Sequence, residues 1–161
     1  MSSPNNMDWS ALVGRRTAWE KDPGSVMREL QTIDPQAHVL VSAAQAVHAE
    51  LGFGYLPEVY RQAFTIEMEE RGVACQQEVP VILQYHGRTL PTGATVDFVC
   101  YDDYVVAIRT REKFDKTEDP AFMNVLRLMR MPHGLLLNFG PRRMEFHRFA
   151  ANGTPGAAGT P

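Results

Sequence analysis

Cysteine is scarce in this sequence, with Cys75 and Cys100 the only two in 161 residues. Two isolated cysteines make neither a zinc-ligand word nor a disulfide framework, so the expectation is a pair of reduced thiols in a cytoplasmic protein. Long apolar runs are missing too. No stretch approaches the ~18–20 residues that a membrane-spanning helix requires, and Met1 to Asn6 are polar rather than basic and then apolar, so no membrane association or export is expected. Basic charge is also in short supply. Sixteen Lys+Arg face nineteen Asp+Glu for a net −3, which argues against a generic polyanion binder, because non-specific nucleic-acid affinity comes from phosphate neutralisation. His38, His48, His86, His133 and His147 fall on different expected elements with no metal-ligand spacing, so no metal or other cofactor is expected from them.

What is present is enough for one domain of mixed composition, 44% apolar and 22% charged. A chain of this length buries roughly 68–70% of its unfolded surface and folds without covalent or metal staples. Three regions follow from composition. Residues 1–34 form an N-terminal arm that carries Pro, Asn and Gly together with Trp9 and Trp19, and tryptophans imply packing on the domain or on a neighbouring copy. Residues 35–149 are the domain. Residues 150–161 are a Gly/Pro/Ala-rich tail with no apolar period.

Within the domain the hydrophobic period changes character. Asp34-Pro35 opens a helix in which Val39, Leu40, Ala43, Val47 and Leu51 recur at helical spacing until Gly52. A second helical period runs from Leu56 through Tyr60 and Phe64 to Glu70, with Gly72 as its left-handed cap. From Val73 the alternation is extended, and His86-Gly87 marks a turn. Ala94–Tyr101 and Tyr104–Thr110 make a hairpin around Asp102-Asp103. Glu118-Asp119-Pro120 starts a third helix, and Gly134–Phe139 and Met144–Phe149 are two further strands. The order of helices and strands predicts an α/β domain with a mixed central sheet flanked by helices.

These elements carry words that identify a likeness. VHAELGFGYLPEVYRQAFTIEMEERG, EVPVILQYHGRTL, TVDFV, YVVAIR and GLLLNFG resemble the GxxExxY family of the PD-(D/E)xK nuclease superfamily over residues 36–149. The resemblance implies a PD-(D/E)xK nuclease-like core with extended arms, and Mg²⁺-assisted phosphodiester chemistry in which two strand acids hold the metal and a lysine stabilises developing charge. Position by position, the chemistry is eroded. The helix glutamate of the family falls on Pro57, with Glu58 one step late. Asp97 keeps the first strand acid. The E-x-K of the next strand falls on Ala107-Ile108-Arg109, and the glutamine of the third helix on Ala121. One carboxylate is too few for a hard Mg²⁺ site, and a planar guanidinium is not a compact ammonium. The resemblance with these losses predicts a catalytically inactive pseudo-nuclease without cofactor. Mg²⁺ enters only if the residual-nuclease alternative holds. Glu112, Lys113, Lys116 or Glu118 could then reach back into the cleft, although a solvated charge run is the plainer reading of residues 111–119.

Charge is uneven along the chain. Up to Leu90 there are seven basic and eleven acidic residues (−4), and from Pro91 nine and eight (+1). Arg109, Arg127, Arg130, Arg142 and Arg143 could contact nucleic-acid phosphates. Alternatively, the late arginines match the acidic Glu67, Glu69 and Glu70 of another copy, a head-to-tail contact that closes into rings or runs on as a filament. The leading expectation is a self-associating structural protein, a homo-oligomer or filament with Trp9, Trp19, Glu67 and Glu70 as contacts. Nucleic-acid binding is the alternative.

Overall fold

A computed structural model describes residues 13–14, 23–115 and 117–150. Three helices follow one another: α1 (Pro23–Ile33), α2 (Pro35–Leu51) and α3 (Pro57–Glu70). Asp34 starts α2, its Oδ1 accepting the Ala37 N–H at 3.1 Å, and Pro35 takes the first helical position, where no N–H is needed. Helix α3 opens on Pro57 without a side-chain cap and closes at Arg71, one residue before the left-handed Gly72 (φ 68°). The remaining elements are β1 (Val13–Gly14), β2 (Cys75–Pro80), β3 (Gln84–Tyr85), β4 (Arg88–Thr89), β5 (Thr95–Cys100), β6 (Tyr104–Arg109), α4 (Glu118–Met129), β7 (His133–Asn138) and β8 (Glu145–Ala150).

The main sheet has the order β1-β8-β7-β6-β5-β2, while β3 and β4 form a separate hairpin. Only β6 and β7 run parallel, which is why a helix, α4, must connect them. The expected β5–β6 hairpin is present, with Tyr101 (φ 57°) and Asp102 (φ 55°) both left-handed at its turn. The sheet is covered on both faces. Helices α1, α2 and α3 pack on one through Leu30, Leu40, Phe64, Phe98, Ile108 and Leu137, and α4 packs on the other through Phe122, Met123, Leu126, Ala107, Leu136 and Phe149. This is the mixed α/β architecture the periodicity predicts.

Two expectations need correction. The N-terminal arm ends earlier than residue 34, because Val26, Met27 and Leu30 carry α1 onto the core and Leu30 is only 4% exposed. Trp9 and Trp19, and the tail from residue 151, lie outside the described residues. The two thiols are not separate. Strands β2 and β5 place Cys75 and Cys100 as directly opposed partners with Cα atoms 4.2 Å apart, and the two form a disulfide. On the same strand pair Gln77 faces Phe98 and Val79 faces Val96, while Glu78 between them is left-handed (φ 50°) at the position opposite Asp97.

Candidate functional site

The C-terminal end of β6, the middle of β5 and the start of α4 converge on one acidic and basic cluster. Asp97 on β5 accepts the Ile108 N–H at 2.7 Å through Oδ2, which pins its carboxylate against β6. Arg109, at the end of β6, lies between two acids: its Nη1 is 4.0 Å from Asp97 Oδ2 and its Nε 3.6 Å from Glu118 Oε1. Arg111 approaches Glu118 more closely, at 2.6 Å. From the opposite face, Arg61 of α3 reaches Asp97 Oδ1 at 3.5 Å. Three guanidinium groups therefore surround two carboxylates, leaving one surplus positive charge. The carboxylates are the more buried partners, since the Glu118 side chain is 10% exposed and the Arg111 side chain 58%. The cationic groups thus form the accessible layer.

The sequence-predicted positions divide into those brought together and those left apart. Asp97 and Arg109 come together, 4.0 Å apart. Pro57 is the first residue of α3, and Glu58 is exposed beside Gln62, 3.5 Å away, so neither supplies an acid to the cluster. Ala107 is buried in the α4-side core, and Ala121 is exposed on α4. The solvated-run reading of residues 111–119 is corrected for Glu118 and Asp119. Glu118 folds back onto Arg109 and Arg111, and Asp119 is buried with Oδ1 2.7 Å from Nδ1 of His147. Arg61 and Arg111 were absent from the candidates. Arg61 stands one helical turn after Pro57, on the same face, and that four-residue step was the available signal.

The arginines do not form one strip. Arg130 stands twelve residues beyond Glu118 along α4, about 18 Å at 1.5 Å per residue. Arg127 donates to Asn124 at 2.9 Å, and Arg130 is the left-handed cap of the helix. Arg142 and Arg143 instead line a cleft of about 520 Å³ with Phe53, Glu112, Gly140, Pro141 and Glu145, where Arg142 sits over the Phe53 ring at 5.4 Å. Buried Asn138 joins cleft and cluster. Its Oδ1 accepts the N–H groups of Arg111 at 2.9 Å and Gly140 at 3.2 Å. His48 fixes the other side, donating from Nε2 to the Pro141 carbonyl at 2.9 Å. Glu67 is engaged within its own helix by Arg71 at 3.0 Å, and Glu70 is exposed.

A mixed sheet with α4 as its crossover, and a polar cluster at the end of its central strands, define a mixed α/β fold with one candidate polar site. Comparison with known families matches residues 34–149 to the PD-(D/E)XK nuclease superfamily, and the chain belongs to it. No curated protein and no solved structure matches the chain. The superfamily's metal would meet acids that are already paired with arginines. Asp97 and Glu118 are both committed to arginines, and no group of three His, Cys, Asp or Glu side chains that could hold an ion exists among the described residues.

Proposed function

We propose that this chain is a pseudo-nuclease of the GxxExxY type that binds nucleic-acid phosphates without a metal and does not cleave them. The observation that carries this reading is the placement of Arg109 between Asp97 and Glu118. A guanidinium there takes up the negative charge that a divalent cation would otherwise neutralise. With Arg61 and Arg111 it presents donors suited to bidentate phosphate contacts. The test is fluorescence anisotropy with a labelled oligonucleotide across a salt series. Binding should persist in EDTA and weaken steeply with salt, and Arg109→Ala should reduce the magnitude of the log–log salt slope by about one. Arg111 remains on Glu118 in that variant, so the buried acid keeps a partner. Cleavage with Mg²⁺ or Mn²⁺ that disappears in Asp97→Ala would establish the residual-nuclease reading instead.

Self-association is a second reading, favoured by the exposed apolar run at the entry of α3: Phe53, Tyr55, Leu56 and Val59 are all open, Leu56 at 76%. Contiguous apolar surface of this kind marks interaction sites. Light scattering at two salt concentrations tests it. An oligomer that dissociates in Leu56→Asp supports the reading, and a monomer at high concentration removes it.

A further inference from the structure

The cleft beside the arginine cluster has a composition that the phosphate reading does not use. Phe53 offers a ring that is 50% exposed, and Arg142 sits over it at 5.4 Å. Aromatic rings and guanidinium planes are the two protein surfaces on which an unstacked base lies. The cleft is also electrically balanced, with Arg142 and Arg143 offset by Glu112 and Glu145, so it exerts no net pull on a phosphate. Its volume of about 520 Å³ lies within the range of small-ligand pockets, roughly 300–1,000 Å³. Cleft and cluster are held in register. Arg111 belongs to the cluster, Glu112 lines the cleft, and Asn138 bonds Arg111 and Gly140 together.

Building on the phosphate-binding reading, we infer that the Phe53–Arg142 cleft is a base-stacking subsite, so that the substrate class of this site is single-stranded nucleic acid. The backbone phosphate is held at Arg109 and Arg111, and an adjoining base enters the cleft. A base paired within a duplex keeps its faces covered by its neighbours and cannot lie on Phe53, so single strands are preferred. Phe53 sits in the short Gly52-Phe53-Gly54 connection, outside the core, where substitution leaves the packed layers intact.

The experiment compares a labelled single-stranded DNA 12-mer with an abasic strand of the same length, at low salt, by fluorescence anisotropy. Wild-type protein should bind the base-bearing strand about tenfold more tightly, the scale of one stacked base. Phe53→Ala should bind both strands as wild type binds the abasic one, and Phe53→Trp should restore the difference. Equal wild-type affinity for the two strands, or a Phe53→Ala protein that keeps the preference, overturns this inference and leaves phosphate binding standing. Failure of wild type to bind either strand overturns both.

Discussion

Asp34 joins three elements through one carboxylate. Its Oδ1 caps α2, and its Oδ2 accepts the Tyr104 hydroxyl of β6 and the Arg148 guanidinium of β8, with Nη2 at 2.8 Å. Burial pushes the Asp34 carboxyl up, but the hydrogen bonds from Tyr104, Ala37 and Arg148 outweigh it and hold the group below its ordinary value. Burial and the same carboxylate push the Tyr104 hydroxyl far above its usual range. The sign for Asp34 follows directly: a depressed folded pKa contributes stability above the unfolded value of about 3.9 and loses it as pH falls through the folded one. Urea midpoints measured from pH 7 down to pH 3 should therefore decline at the acid end, and Asp34→Asn should flatten that decline. The same substitution leaves Arg148 largely buried without its anion, at a cost of about 3–5 kcal/mol at neutral pH. Tyr104→Phe, which removes one hydroxyl from the cluster, should cost less, about 1–2 kcal/mol by the same unfolding measurement. Asp34-Pro35 was legible in the sequence as a helix start. Its links to Tyr104 and Arg148, 70 and 114 residues away, were not, because they depend on the sheet bringing β6 and β8 beneath the helix.

Whole elements were the most legible part of the chain, since the switch from helical to alternating period at Val73 separates α3 from the strands. Helix α1 was missed although Val26, Met27, Leu30 and Ile33 repeat at helical spacing, because the Pro and Gly around them read as an arm. The cluster was half legible. Asp97 and Arg109 lie on strands whose phase is clear, whereas Glu118 belongs to a different element, α4, and no local period reports how two elements meet. The Cys75–Cys100 bond has the same origin, because strand register decides which residues oppose each other. A 25-residue separation gives that disulfide about 3.5 kcal/mol in a chain-entropy account, so thermal unfolding with and without reductant should differ by that scale, and Cys75→Ser should abolish the difference. The Gly140 turn sets a stricter limit. A Cβ there would lie 2.0 Å from the Arg111 carbonyl oxygen, which is backbone and cannot swing aside. Gly140→Ala should displace the 140–143 turn from Arg111 and loosen nucleic-acid binding, while chemical denaturation shows a loss of at least about 1–3 kcal/mol.

At the scale of the whole molecule, function was the least legible, because the fold is common to cleaving and non-cleaving chains and the decision rests on a few side chains around Asp97. One outer strand of the sheet adds a constraint of a different kind. Strand β2 carries Pro80, which has no N–H to offer, and Glu78 in a left-handed conformation with its charge exposed. A neighbouring chain seeking to extend the sheet along this border meets an interrupted row of donors and a kinked, charged rail. This makes β2 a deterrent against runaway sheet growth, and any ordered assembly of this protein must use another surface. Replacing Glu78 with Thr and Pro80 with Val together should straighten the border and raise thioflavin-T signal on prolonged incubation, while the parent chain stays dark.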